Sequence, residues 1–246
     1  MSVVGYTNIM SFLYHTFFFD PLYNTLVLLF KILPWADAGI IVILLTILVR
    51  LIMFPLSRKA VLTQVRMAEI APDLAKIKEE YRGRAKEQAE LTLALYREKG
   101  VNPFSGILVI IIQIPIILAL YQIFLRFPKV DSSLLYSFVT APEHINTVFL
   151  GFLDITAKSV PVALLAAVST FFQFQISMKG QPKPTGNSFG DNLTRSMQTQ
   201  MKYFFPVIVF FISYNISGVI ALYWLTTNLF SIGQEIFVRR KLTKIS

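Results

Sequence analysis

A single guanidinium, Arg50, sits inside the apolar stretch ILLTILVRLIMFPLSRKA, residues 43–60. The apolar run begins after Asp37 and carries no other charge as far as Leu56. A run of this length reads as a transmembrane helix, and a charge near its middle costs roughly 2.5–3.5 kcal/mol on insertion scales. Thr46 precedes Arg50 by one turn on the same face. The second apolar stretch carries Gln113 and Gln122, and the third carries Gln173 and Gln175. Those last two point nearly opposite ways on a helix, so at most one faces a shared interior. In the last stretch Trp224, Thr227, Asn228 and Ser231 share a face by three-and-four spacing. Polar side chains in spans face the bundle interior or a wet cavity. A hydrated pocket of Arg50, Thr46, Gln113, Gln173, Trp224 and Asn228 is therefore expected. Gln122, Thr227 and Ser231 read instead as interhelical hydrogen-bonding groups, each worth about 0.6 kcal/mol.

Arg50 has no obvious ion partner within the membrane. The first four apolar stretches hold no Asp or Glu, and Glu235 comes near the end of the fifth. Asp37 is roughly 20 Å away along a helix. An unpaired guanidinium needs water. Ser57, two turns on, marks the cytoplasmic exit, so Arg50 belongs to the inner half of the bilayer. That favours a cavity open to the cytoplasm or to lipid over a pore.

Five stretches are long and apolar enough to hold these groups: about 38–57, 104–126, 159–178, 203–216 and 219–237. Only Ser217-Gly218 separates the last two, which predicts a tight helical hairpin. Pro115, Pro161 and Pro206 read as kinks whose freed backbone groups neighbouring helices satisfy. Ahead of the first stretch, Asp20-Pro21 suits an N-cap and first turn. Leu22, Leu26, Leu29 and Leu33 then share a face, predicting an interfacial helix over about 20–34 within an N-terminal segment 1–36. A sixth span is the alternative. The N-terminus shows neither the basic region nor the cleavage site of a signal peptide.

The composition agrees with a polytopic membrane protein. The chain has 246 residues, is 54% hydrophobic and has a mean hydropathy of +0.59, too apolar for a soluble domain. With no cysteine, disulfides, thiol chemistry and cysteine lipidation are excluded. His15 and His144 are too far apart in sequence to suggest a metal cluster. Of 23 Lys and Arg residues, 18 fall in 58–99, 179–202 and 238–246. The positive-inside rule then places the N-terminus outside and the C-terminus in the cytoplasm, as an odd number of spans requires. The net charge of +9 fits basic cytoplasmic loops against anionic headgroups, and RNA contact through a ribosome stays open.

The first cytoplasmic loop, 58–101, has structure of its own. Met67, Ile70, Leu74, Ile77 and Tyr81 recur at helical spacing, Gly83 interrupts, and a second helix follows over about 85–99. An antiparallel hairpin is expected, either as a solvated face laced with ion pairs or as a docking arm. The 179–200 loop, rich in Gly and Pro, is expected to be flexible. In the outside loop 127–157, VFLGFLDI is expected to touch the membrane surface.

Three stretches resemble the YidC/Oxa family of membrane protein insertases: LLTILVRLIMFPLSRKA, GVNPFSGILVIIIQIPIILALY and SGVIALYWLTTNLFSIGQE. The resemblance runs from about Pro21 to Arg240. It implies an all-α integral membrane protein: five transmembrane helices around a hydrophilic groove, with an interfacial helix and a cytoplasmic hairpin. The implied activity is insertion of newly made proteins into the bacterial plasma membrane, alone or beside the Sec translocon. The implied groove contacts are Arg50, Thr46, Gln113, Gln173, Asn228 and the aromatic Trp224 beside Tyr223. Partners implied are nascent membrane proteins, lipids and, through the hairpin and loops, the ribosome and translocon, with no DNA, cofactor or metal.

A small-molecule or anion transporter built on Arg50 is the alternative. It would call for inverted repeats or paired broken helices, which the sequence lacks, and it leaves the long hairpin without a role. A membrane protease would need a triad or dyad, which the serines and two histidines do not suggest. No GxxxxGK[ST] motif marks a nucleotide site. An assembly chaperone acting with the translocon would be the same family doing a different share of the work.

Overall fold

The computed structural model describes residues 8–102, 105–179 and 195–243. Nearly all of it is helix. The chain begins with α1 (Asn8–Tyr14), which runs through a π turn, His15–Phe19, into α2 (Asp20–Ile32). The long α3 (Ala38–Glu69), α4 (Ala71–Glu80) and α5 (Ala85–Glu98) follow. Then come α6 (Ser105–Arg126), α7 (Val160–Ser177), α8 (Phe205–Ile216) and α9 (Gly218–Thr243). Between α6 and α7 lies one small antiparallel pair, β1 (Val148–Phe149) and β2 (Leu153–Asp154). Most of the 179–200 loop and Pro103 lie outside the described residues.

Two helices among the described residues, α3 and α7, are long and apolar enough to cross a membrane. Large apolar side chains point away from the protein along both, including Leu51, Ile52, Leu164 and Phe172. A water-soluble bundle would bury such side chains; a lipid-facing one exposes them. The interior is held by two apolar clusters. One joins the π turn, α2, α3, α6 and the start of α9 through Phe19, Leu26, Ile41, Leu45, Leu120, Ile123 and Val219. The other joins α7, α8 and α9 through Val162, Ala166, Val209 and Leu222. Ala163, Ala166 and Ala221 are fully buried, and small residues let membrane helices approach closely.

Several features differ from the sequence reading, and α9 also runs on past the expected end at 237 to Thr243. The first apolar stretch does not stop near residue 57. α3 runs on to Glu69 through Pro55, about 48 Å of helix at 1.5 Å per residue against a hydrocarbon core of roughly 30 Å. The first arm of the expected hairpin is thus partly a continuation of α3, and only α4 and α5 fold back. Asp20 is not an N-cap: its backbone is helical, because a π turn carries the helix through Pro21, and its carboxylate lies 3.2 Å from His15 Nδ1. The buried face of α2 is Phe19, Tyr23, Leu26, Val27 and Phe30. Of the expected leucine stripe only Leu26 is fully covered.

The segment between α6 and α7 closes one end of the bundle. The first N–H groups of a helix have no partner within it. Asn146 O accepts from Ala38 N at 2.8 Å, Ala157 O from Gly218 N at 2.9 Å, and Ile155 O from Val219 N at 2.8 Å. Asp37 Oδ1 accepts from Ile40 N at 3.0 Å. α2 holds the same segment: Asn24 Oδ1 accepts from Tyr136 N at 2.7 Å and Tyr23 Oη from Asp131 N at 2.6 Å. As predicted, α8 and α9 form a tight hairpin, with Ser217 extended between them. A side chain at 218 would meet Ile155 O at 3.1 Å, so glycine allows the close approach.

At the other end α4 and α5 pack on each other, with Gly83 (φ +84°) in the turn. Neither has a buried residue. Their Lys76–Asp73 and Arg84–Glu87 pairs are exposed and contribute little to stability.

Gly39 provides a test of the closed end. A Cβ there would lie 2.2 Å from Phe149 Cδ2. Gly39→Ala is expected to destabilise the protein by about 1–3 kcal/mol through overpacking, outweighing the gain in helix propensity. Thermal unfolding in detergent measures this, and Phe149→Ala added to Gly39→Ala should recover part of the loss.

Candidate functional site

α3, α6 and α9 bring a polar group together at mid-bundle. Arg50 is half-buried on α3 and forms no ion pair with any described residue. It lies near Tyr223 of α9. The Tyr223 hydroxyl is buried and faces Gln113 of α6 and Thr227 one turn along α9. Gln113 Oε1 and Thr227 Oγ1 are nonetheless buried without a well-formed hydrogen bond. Unsatisfied groups beside a guanidinium in an apolar bundle define a place for water or for a polar guest.

An apolar cavity of about 380 Å³ adjoins this group between α6, α8 and α9. Its walls include Ile117, Tyr121, Phe124, Ile216, Tyr223 and Trp224. Trp224 is half-buried, and its ring lies edge-on to Phe205 at 6.5 Å. Tyr223 lines the cavity and also faces the polar group. The site is therefore amphipathic, with the Tyr223–Trp224 pair at the junction.

The expected pocket residues divide into several places. Arg50, Gln113 and Tyr223 belong to the mid-bundle group, with Trp224 beside it. Thr46 is buried next to Arg50, but its hydroxyl donates to Val42 O of its own helix at 2.6 Å. Asn228 turns into the seam with α7, where its Nδ2 donates to Thr170 Oγ1 at 2.7 Å and Ser169 Oγ at 2.9 Å. Gln173 donates to Ser177 Oγ at 3.2 Å, near the far end of α7. Gln175 is exposed, as the opposed directions of 173 and 175 require. Ser231 bonds within its helix to Thr227 O. Gln122 is exposed rather than interhelical, and Thr227 faces Tyr223 rather than bridging helices.

The sequence reading missed a polar junction beyond Gln173. Ser177 Oγ donates to Glu235 Oε2 at 2.5 Å, and Glu235 Oε1 accepts from Arg239 Nη2 at 2.8 Å. Arg239 also reaches Gln64 Oε1 at 3.4 Å, and Gln234 donates to Ser57 Oγ at 2.6 Å. These bonds tie α3, α7 and α9 together at the end opposite the closed one. The clue in the sequence was the Glu235–Arg239 spacing of four residues, which places an ion pair on one face.

Fold and site together define an all-α membrane protein with an amphipathic cleft among its helices. A family model described as 60Kd inner membrane protein matches residues 29–244, and the chain belongs to that family. Relatives include "Membrane protein insertase YidC" of Fusobacterium nucleatum, 32% identical over 205 residues, 82% of this chain and 86% of that protein. The protein of the same name in Clostridium tetani is 26% identical over 207 residues, 84% of each chain. The Wolinella succinogenes protein is 28% identical over 236 residues, 96% of this chain, which spans only 39% of that longer relative. All three are named as insertases, not as catalysts.

The Asn228 seam yields a prediction. Asn228→Ala removes the interhelical hydrogen bonds to Thr170, Ser169 and Ala166 and is expected to cost about 1–2 kcal/mol, in keeping with the modest worth of such bonds in membranes. Thermal unfolding in detergent measures it, and the Asn228→Ala, Thr170→Ala pair should show non-additive losses.

Proposed function

We propose that this chain is a membrane protein insertase and chaperone of the bacterial inner membrane. In this reading five spans surround a groove open to the cytoplasm and to lipid, with the N-terminus outside and the C-terminus in the cytoplasm. The observation that carries it is the junction at Tyr223–Trp224, where a guanidinium with no ion partner among the described residues and unsatisfied polar atoms meet an apolar cavity. A membrane segment in transit has the same two halves: a polar, often acidic tail and an apolar helix.

Arg50 attracts the tail partway into the bilayer, where the hydrated groove shortens the hydrocarbon barrier left to cross. The apolar helix enters the cavity beside Trp224 and passes into lipid. The cavity favours a path between α6, α8 and α9. Transfer of the segment's apolar surface out of water drives the step at about 25 cal/mol per Å², aided by the membrane potential acting on charges. No covalent chemistry is required. Gln113, Tyr223 and Thr227 would solvate the tail, while Thr46, Asn228 and Gln173 shape the groove from behind. The hairpin α4–α5, standing clear of the bundle, is the surface for a ribosome or the Sec translocon.

Two experiments test the reading. A photoreactive residue at position 224, in protein reconstituted alone and given ribosomes with a stalled single-span nascent chain, should crosslink to the apolar nascent segment. A lipid-facing control at position 52 should not. Absence of the crosslink in folded protein would favour a scaffold or a transporter. In proteoliposomes, Arg50→Lys should keep insertion of tail-first substrates and Arg50→Ala should lose it, most for acidic tails. Equal insertion by Arg50→Ala and the unaltered protein would refute the electrostatic role.

A further inference from the structure

We infer that the tip of the β1–β2 hairpin, Leu150-Gly151-Phe152, is a membrane anchor that inserts into the interfacial layer of the bilayer at the closed end of the bundle. The inference rests on the reading of α3 as a span.

The first observation is an apolar residue in a disfavoured conformation. Leu150 (φ +53°) and Gly151 (φ +80°) are consecutive left-handed residues, and Phe152 N donates to Phe149 O across them at 3.3 Å. Such a turn favours Asn-Gly or Asp-Gly, because the first position also needs positive φ. Leucine has no local hydrogen bond to offset the left-handed cost. Nor is it kept for packing, since Leu150 is 59% exposed and Phe152 is 77% exposed. An apolar side chain that is strained and unburied within the protein calls for an apolar surface outside it.

The second observation is depth. Leu150 N donates to Asp37 Oδ2 at 3.0 Å, and the Phe149 ring lies against Gly39. The tip is therefore level with the first turn of α3, where the apolar run of the span begins. That level is the boundary between water and hydrocarbon. Trp35, 73% exposed and two residues from Asp37, is a residue type enriched at that boundary.

The third is polarity along the hairpin. Its base is polar and wet: the exposed Asp154 carboxylate accepts from Thr156 Oγ1 at 2.7 Å and Thr156 N at 2.9 Å. These bonds hold its carboxyl below the usual carboxylate range. A polar base and an apolar tip orient the hairpin as a wedge. The hairpin is tied to the starts of α3 and α9 through Asp37 and Ile155, so the anchor would fix the height of both helices in the bilayer.

The chain has no cysteine, so single-cysteine spin labels test depth directly. Labels at Phe152→Cys, Ile52→Cys (span) and Lys86→Cys (cytoplasmic hairpin) are compared in vesicles of phosphatidylethanolamine and phosphatidylglycerol, using oxygen and a water-soluble nickel chelate as relaxants. The anchor predicts an oxygen-to-nickel ratio at 152 several-fold above that at 86, approaching that at 52. Leu150→Asn suits the turn but not the lipid, and should lower the ratio at 152 while the melting temperature holds or rises. A ratio at 152 equal to that at 86, with 52 still lipid-like, would overturn the anchor alone. Nickel access at 52 would overturn the span and the anchor with it.

Discussion

Helix α3 and helix α9 both begin with N–H groups that have no partner inside the helix. Every such group left bare would cost several kcal/mol in hydrocarbon. The segment between α6 and α7 supplies carbonyls from Asn146, Ile155 and Ala157 to satisfy them. Much of the architecture follows. α3 and α9 are set side by side, Gly218 lets the chain pass close, and Asn24 and Tyr23 of α2 are committed to holding the satisfying segment in place.

The two ends of the bundle are consequently different. The capped end is knit by backbone bonds, by the side chains of Asp37, Asn24 and Tyr23, and by the Phe149 ring over Gly39. Among the described residues the opposite end is joined by side-chain bonds of Ser177, Glu235, Arg239, Gln64 and the Gln234–Ser57 pair. Side-chain bonds can exchange for water or for another polar chain at less cost than backbone bonds.

Between the ends, Arg50 forms no ion pair with a carboxylate among the described residues. A buried ion pair would offset its charge and leave nothing for a guest. Gln113 Oε1 and Thr227 Oγ1 are likewise left unsatisfied, so the mid-bundle prefers a polar occupant. The adjoining apolar cavity prefers the opposite, and Tyr223, with a phenol edge and an aromatic face, belongs to both.

Arg50 in an apolar run, the helical spacing of the hairpin and Ser217-Gly218 between two apolar stretches are local facts, and the sequence by itself determined them. The α5 and α7 boundaries and the α8–α9 turn followed because periodicity and punctuation act over a few residues. Tertiary structure decided which polar side chains meet. Thr227 and Asn228 are neighbours on one helix, yet one faces Tyr223 and the other enters the α7 seam, because a rotation of about 100° per residue separates them and only packing sets which helix stands on each side. The same holds for α3, which continues past Pro55, and for α2, whose buried face was fixed by α3 and α6 rather than by its leucines. Spacing fixes which residues share a face; the neighbours that cover that face come from distant sequence.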